Sequence, residues 1–292
     1  MQRMFALLMP WEFSPVVFAA CVLAVTFYLR GVALLKRAGA RTGRWRMFSF
    51  FLGLLLIYAV LQTYFDYLSQ HMFWVHRLQH LVLHHLGPFL ITIATPYEAI
   101  KTGFPRWQGR GGPIGILLGR IVAGTYATLQ NVVVAPLLFV GLIFFWLTPS
   151  IHFYAMLSLP LYNAMNWSMA LDGLLFWWFC LKPAPSGELP HPGYGVRVAI
   201  LALIAFPQIV LGCYIFITPR SLYSIYALCG RAWEINPLLD QQIGGLIIWI
   251  PASMMSVIGA ILALRLWMRD DENRHGGGRL ALGIAAKHSS GT

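Results

Sequence analysis

Seven long apolar runs, separated by short polar loops, occupy most of this chain and limit what it can fold into. Each has about the length that an α-helix needs to cross the hydrocarbon core of a bilayer. They cover about residues 15–35, 47–67, 72–94, 132–147, 160–181, 196–217 and 243–268. Charged residues make up 11% of the chain, against about 25% in soluble domains. The sequence therefore predicts an all-α polytopic membrane protein, a bundle of about seven transmembrane helices.

The predicted bundle is a single transmembrane domain, residues 1–268, followed by a flexible cytoplasmic tail, residues 269–292, that is rich in glycine and charge. We expect the first run to be a retained span, because it is long and no A-x-A-like cleavage site follows it. The weaker apolar segment 114–130 carries Arg120 near its middle. A charge at mid-bilayer costs at least ~2.5 kcal/mol, so this segment is expected to lie in the membrane interface.

Lysines and arginines collect in alternate loops and in the tail. One side of the predicted bundle has Lys36, Arg37, Arg41, Arg44, Arg46, Lys101, Arg106, Arg110, Arg120, Lys182, Arg197, Arg265, Arg269, Arg274, Arg279 and Lys287. The other side has Arg3, Arg220 and Arg231. Since basic loops stay in the cytoplasm, the N-terminus is predicted outside and the C-terminus inside. This topology accounts for the net charge of +11 without a nucleic-acid partner.

The third run contains the residues that point to a function. Its stretch WVHRLQHLVLHHLGP holds four of the nine histidines, and polar groups within a bilayer are costly and usually functional. His76, His80 and His84 recur every four residues, so a helix places them in one stripe with steps of about 6 Å. His85 points about 100° away from His84. Pro88, near the end of the stretch, is expected to weaken the helix.

The histidine stripe has two interpretations. Neutral imidazoles one helical turn apart can hold copper, zinc or iron; alternatively, they hydrogen-bond to neighbouring helices or trapped water. Asp66 and Asp240, at the outer ends of the second and seventh runs, would be ligands or would orient an imidazole, unless they cap helices or are hydrated at the interface. Bis-histidine haem is less favoured, because no second deep histidine faces the stripe in the predicted topology.

Other residues of interest are spread over several runs. Asp172 lies deep in the fifth run and needs a partner there, while Arg77 is expected to reach outward or to pair with an acid. Met165 and Met169 have helical spacing, which core packing explains better than Cu(I) binding. The four cysteines form no C-x-x-C. The seventh run has no lysine for a retinal Schiff base, and P-loop, nucleophile-elbow and H-E-x-x-H motifs are missing from the sequence.

Three segments of the chain have recognisable patterns. Residues 76–80 read H-R-L-Q-H, followed by G-P at 87–88 and preceded by Asp66; residues 173–178 read GLLFWW; residues 240–251 read DQQIGGLIIWIP. Together they resemble the multi-span CtaG family of cytochrome c oxidase assembly proteins (caa-type oxidase assembly factors). Three parts of the sequence differ from the family pattern, and one of them is His84 and His85, which stand where Met or other apolar residues are usual. Residues 146–149 read WLTP where W-H-x-P is usual, and Tyr162 and Asn166 replace a second histidine pair.

The resemblance implies a plasma-membrane protein that is needed to make an active haem–copper oxidase and helps to load its copper. It also implies that His76, His80, Asp66 and Asp240 are the functional positions. Our hypothesis is an assembly factor that binds copper transiently near the outer face through His76 and His80, with His84 as a further ligand. Asp66 and Asp240 would support this metal site.

The expected partners are oxidase subunits, which would dock against apolar helix faces, and the lipid bilayer. No covalent chemistry is required, so the chain is not expected to be an enzyme. Three alternatives stay open. They are a redox membrane protein that holds haem or uses quinol, a metal or proton transporter, and a metal-free scaffold for oxidase subunits.

Overall fold

The computed structural model describes residues 12–105, 113–182 and 192–289, and the side chains in these ranges except at 113–114 and 273–289. Within them the regular elements are thirteen α-helices and one π-helical segment. In chain order they are α1 (Pro15–Arg37), α2 (Arg44–Gln62), α3 (Tyr64–His71), α4 (Phe73–His80), the π-helical segment (Leu81–Leu86), α5 (Gly87–Ile93), α6 (Tyr97–Gly103), α7 (Pro113–Leu129), α8 (Val134–Leu147), α9 (Pro149–Leu157), α10 (Leu159–Leu181), α11 (Tyr194–Ile217), α12 (Ile225–Leu228) and α13 (Pro237–Ser289).

Four of the described helices are long and apolar enough to cross a membrane: Pro15–Arg37, Arg44–Gln62, Tyr194–Ile217 and Pro237–Glu272. A fifth span exists if Gly115–Leu129 and Val134–Leu147, which are bent by 76° relative to each other, count as one. The prediction of a helical membrane bundle is confirmed at this level. The number of seven spans and the orientation stay predictions.

The third and fifth predicted spans are also helical. The third is the continuous run α4, π-helical segment and α5, which occupies the centre of the bundle and packs against α2, α10 and α13. The fifth is α10, with 23 residues. Both carry the buried polar side chains described below, which makes them less uniformly apolar than the outer helices.

The π-helical segment has a physical cause in Pro88. Proline has no N–H to donate to the carbonyl of His84, four residues earlier, and its ring crowds that carbonyl. The helix widens there instead of ending, and the indole Nε1 of Trp177 on α10 donates to the His84 carbonyl at 3.2 Å. Gly173 permits this approach, since a Cβ at that position would lie 2.4 Å from the His84 carbonyl oxygen. The expected weakening at Pro88 is therefore a change of helix type.

Close backbone contact also joins α1 to α6. A Cβ at Gly31 would lie 1.7 Å from the carbonyl oxygen of Ala99, and a Cβ at Gly103 would lie 1.9 Å from that of Phe27. Small residues that let two helices approach in this way are typical of packing in membranes. The short helix α6 is thus fixed against the end of α1.

The last helix, α13, is described as far as Ser289. Its backbone therefore continues through most of segment 269–292, which the sequence predicts to be a flexible cytoplasmic tail. The side chains after residue 272 lie outside the described part of the chain. The flexibility of the tail and its cytoplasmic position stay predictions, and so does the division into a domain 1–268 and a tail.

Candidate functional site

His76 and His80 form a close pair on α4. Their Nε2 atoms are 3.1 Å apart, and the side chains are 0% and 5% exposed. The Nδ1 atom of His76 lies 3.2 Å from the carbonyl oxygen of Ser69, and the Nε2 atom of His80 lies 3.2 Å from Oδ1 of Asn166 on α10. The structure thus brings together the two histidines that the sequence pairs by their spacing.

The partners of this pair determine which nitrogens carry hydrogen in the neutral rings. A carbonyl oxygen only accepts, so His76 is protonated on Nδ1 and presents a lone pair on Nε2. His80 then donates its Nε2–H toward that lone pair and toward Asn166, which leaves its Nδ1 as a lone pair with no partner in the described chain. Asn166 therefore orients His80.

A third imidazole lies beside the pair. The ring of His152, on α9, is 5.2 Å from the ring of His76. Its Nδ1–H donates to the carbonyl oxygen of Trp146 at 3.1 Å, and its Nε2 accepts from the hydroxyl of Tyr226 at 2.9 Å. Burial first, and the nearby Arg77 guanidinium second, lower the pKa of His152 to about 3, so this ring, between the predicted spans, is neutral. The sequence gives no spacing signal for His152, because this residue lies 76 positions after His76 in the chain.

Asp66 lies at the mouth of the site. Its Oδ1 accepts from the Tyr162 hydroxyl at 2.7 Å and from Gln79 Nε2 at 2.8 Å, and its Oδ2 accepts from Gln70 at 2.9 Å. The carboxylate also lines a cavity of about 220 Å³, together with Glu12 and Tyr162. The contacts described for Asp66 lead to α4 and α10 through hydrogen bonds and include neither imidazole of the pair.

Asp240 caps the helix that carries the pair. Its Oδ1 accepts from the backbone N–H of Trp74 at 2.9 Å and its Oδ2 from that of Phe73 at 3.3 Å, at the first turn of α4. Arg231 donates to the same Oδ2 at 3.2 Å. These bonds satisfy helix-end donors that have no partner within the helix. Capping, which the sequence offers as one interpretation, thus accounts for the two backbone contacts of this carboxylate, and the ion pair with Arg231 accounts for the third.

His84 and His85, in the π-helical segment, face different helices. His84 Nε2 is 2.9 Å from Oδ2 of Asp172 on α10, which is the partner that the sequence does not identify. His85 Nε2 is 3.0 Å from Oε1 of Gln208 on α11. Gln208 donates its own amide to a backbone carbonyl, so His85 must be the donor in this bond. Both imidazoles are held by side chains and lie deeper than the pair.

A small cavity of about 30 Å³ lies between His80 and these deeper histidines. It is lined by Arg77, His80, His84 and His85, among other residues, and has room for about two water molecules. The Nδ1 atoms of the three histidines, and Nε and Nη2 of Arg77, have no partner within the described residues. Water that bridges guanidinium donors to imidazole lone pairs would satisfy both sets.

The environment of Arg77 differs from the expectation. Its side chain is 4% exposed, lies 5.2 Å from the centroid of the Phe73 ring, and has no ion pair with a carboxylate in the described part of the chain. The predicted outward reach is therefore wrong, and within the described residues the predicted acidic partner is not found. The guanidinium instead faces a buried cavity and an aromatic ring, which leaves a positive charge close to the imidazoles.

The donor set at this site suits a metal held by two ligands from the protein. Within the residues described, no three His, Cys, Asp or Glu side chains converge on a point. The two Nε2 atoms of the pair fit better, because nitrogens that share a tetrahedral metal at about 2.0–2.1 Å are about 3.3 Å apart. His84 is bonded to Asp172, and Asp66 and Asp240 are hydrogen-bonded elsewhere. Metal binding by any of these residues stays a prediction.

Comparison with known proteins gives a family match over most of the chain. The sequence model of the cytochrome c oxidase caa3 assembly factor family matches residues 26–270. Two uncharacterized proteins, from Mycobacterium bovis and Mycobacterium tuberculosis, are each 25% identical over 289 residues, which is 91% of this chain and 41% of theirs. The chain thus spans about two fifths of the length of these curated relatives. No solved structure matches.

Proposed function

Because the chain belongs to the cytochrome c oxidase caa3 assembly factor family, we propose that it assists copper loading of the oxidase, by holding copper as cargo on His76 and His80. Copper would be passed on, so the protein needs an exchangeable site with few ligands instead of a closed four-ligand site. A pair of imidazoles with neutral partners meets this requirement. No bond in an organic substrate has to be broken, and we therefore propose that the chain is not an enzyme.

The observation that carries the proposal is the 3.1 Å separation between the Nε2 atoms of the pair. His76 already presents its lone pair there, while His80 presents an N–H. Copper would use the lone pair of His76 directly and would require the proton of His80 to leave Nε2. The Nδ1 atom of His80, which has no hydrogen-bond partner within the described residues, can receive this proton. Binding and release would thus be coupled to one proton shift within the ring.

A route for the cation leads from the predicted outer face. The cavity of about 220 Å³ is lined by Glu12, Asp66 and Tyr162, so two carboxylates stand at its walls. Tyr162 bonds to Asp66 at 2.7 Å, and its ring is 6.0 Å from the ring of His76. We propose that Asp66 attracts the cation to this mouth, which agrees with its supporting role in the sequence hypothesis. Asp240 would contribute by fixing the position of α4. His84 would bind copper only if its contact with Asp172 were broken.

The proposed topology has seven spans, with α4, the π-helical segment and α5 as the third and α10 as the fifth. It is supported by a cleft at one end of the bundle, where the ends of α1, α2, α5 and α10 meet and Arg41, Arg46 and Lys182 are found. Basic residues at that end agree with a cytoplasmic side. The histidine pair would then open to the outside of the inner (plasma) membrane, where an oxidase subunit would dock to receive copper.

The test is the copper content and Cu(I) affinity of the detergent-purified chain, compared with the double variant His76→Ala/His80→Ala. His71→Ala is the matched control, because His71 is a neighbouring histidine bonded to the Tyr67 carbonyl and not to the pair. We expect one bound copper in the wild type and in the control, and a loss of at least about tenfold in affinity in the double variant.

Other outcomes would favour the alternatives. If no copper binds and oxidase assembly still fails when the gene is deleted, the protein is a metal-free scaffold for oxidase subunits. A Soret absorbance band in the purified protein would favour a redox protein that holds haem. If the double variant and the control bind copper equally, the pair is not the copper site.

A further inference from the structure

A second large cavity lies at the end of α2 away from Asp66. It is a cleft of about 520 Å³ where the ends of α1, α2, α5, α6 and α10 meet. Its volume is within the range of about 300–1,000 Å³ that is typical of sites for small organic ligands. The histidine pair and the proposed copper route do not involve this cleft.

The charge of the cleft is mainly positive. Arg41, Arg46 and Lys182 line it, and Glu98 is the acidic residue among the lining side chains. Arg41 and Arg46 are exposed, on the loop before α2 and in its first turn, whereas Lys182 is 8% exposed. The ammonium group of Lys182 lies 5.7 Å from the ring of Trp178. Two guanidinium groups at the mouth and a buried ammonium group deeper in favour an anionic ligand.

The wall of the cleft includes a polar group that lacks a partner. Tyr28 is fully buried and stacks on Phe50 with a centroid distance of 3.9 Å, and its hydroxyl has no hydrogen-bond partner within the described chain. Buried hydroxyls are rarely left in this state. Thr95, also in the wall, has a positive φ of 48°, and strained backbone of this kind is concentrated at ligand sites.

We propose that this cleft binds the phosphate headgroup of an anionic phospholipid. Arg41 and Arg46 would hold the phosphate oxygens, and the Tyr28 hydroxyl would donate to an oxygen deeper in the headgroup. Basic pockets between transmembrane helices on the cytoplasmic side are known to accept such headgroups. Aromatic side chains at the same level, Tyr97 and Trp178, are typical of the membrane interface. The inference rests on the proposed topology and is independent of copper binding.

The experiment is a titration of the full-length, detergent-purified protein with phosphatidylglycerol, followed by its intrinsic fluorescence and thermal stability. Phosphatidylcholine with the same acyl chains tests whether binding requires a headgroup with a net negative charge. Inorganic phosphate tests whether the cleft binds a soluble phosphate instead of a lipid. The variant Arg41→Gln/Arg46→Gln removes the two guanidinium groups of the cleft. The matched control, Arg37→Gln/Arg44→Gln, removes two charges from the same loop region, and neither residue lines the cleft.

We expect phosphatidylglycerol to bind the wild type and the control variant alike. Each lost guanidinium contact should weaken phosphatidylglycerol binding about fivefold. The variant Arg41→Gln/Arg46→Gln should therefore bind the lipid about 25-fold more weakly. Tyr28→Phe, which keeps the stacked ring, should weaken it severalfold. Equal losses in the test and control variants, or equal binding of phosphatidylcholine, would overturn the proposal. Binding of inorganic phosphate as tight as that of the lipid would assign the cleft to a soluble anion and overturn it as well.

Discussion

Asp240 accepts a hydrogen bond from the backbone N–H of Trp74 at 2.9 Å, although the two residues are 166 positions apart in the chain. This contact fastens the beginning of the helix that carries the histidine pair to the last helix of the bundle. It also assigns a physical role to the first residue of the DQQ motif. One carboxylate on α13 thus helps to position the helix that carries the pair.

We predict that Asp240→Ala lowers the free energy of unfolding by about 2 kcal/mol, because it removes a helix cap and leaves Arg231 without its partner. Unfolding in detergent by heat or by denaturant measures this change. Glu234→Ala, an exposed acid close by in the sequence, should change stability by less than about 0.5 kcal/mol. Normal stability combined with lost copper binding would instead make Asp240 a ligand.

Gly173→Ala should destabilise the bundle by about 1–3 kcal/mol. The new Cβ would lie 2.4 Å from the carbonyl oxygen of His84 and would push α10 away from the π-helical segment. Gly141→Ala is the control, since it lies in α8 and a Cβ there meets nothing within 4 Å. It should be neutral or slightly stabilising. The prediction fails if the two variants have the same thermal stability.

The buried pair His84 and Asp172 should show strong energetic coupling. Each of His84→Ala and Asp172→Ala leaves the other group buried without a partner, at a cost of about 2–3 kcal/mol. The double variant should cost less than the sum of the two, which a double-mutant cycle measures. Additive losses would show that the 2.9 Å contact contributes little to the folded state.

Arg77→Met should increase the Cu(I) affinity of the histidine pair severalfold, if the pair is the copper site. The guanidinium and His80 line the same cavity, and a positive charge in a poorly solvated place opposes a second cation. Methionine keeps most of the volume of the side chain without its charge. Competition with a chelator of known affinity measures the change. Unchanged affinity would mean that water or neighbouring dipoles already screen Arg77.

The sequence predicts those features of this protein that depend on residues close to one another in the chain. Apolar runs predict the long helices, and the four-residue spacing predicts that His76 and His80 lie together. Contacts between distant segments do not follow in this way. Asp172 meets His84, and Gln208 meets His85, because of the relative rotation of three helices. That rotation depends on packing over the whole bundle and leaves no local pattern.

His152 illustrates the same limit at the site itself. In the sequence it belongs to a short outer connection, whereas the structure places its ring 5.2 Å from that of His76. The approach depends on α9, which begins at Pro149 after a one-residue break that follows α8. A similar lesson applies to Pro88. The sequence indicates a weakened helix, but the choice of a wider turn over a break depends on Trp177, a donor on another helix.

The wider turn at Leu81–Leu86 has a consequence for the angular phase of the third span. An α-helix gives each residue a fixed azimuth of about 100° from the last, so the outer and inner halves of an unbroken α-helical span would share one frame. A single π-turn changes the azimuth of every residue that follows it. The outer half can direct His80 at Asn166 while the inner half keeps Gly87 against Ile57 on α2. Deleting one residue from this turn would leave the span helical and yet rotate one half away from its neighbours.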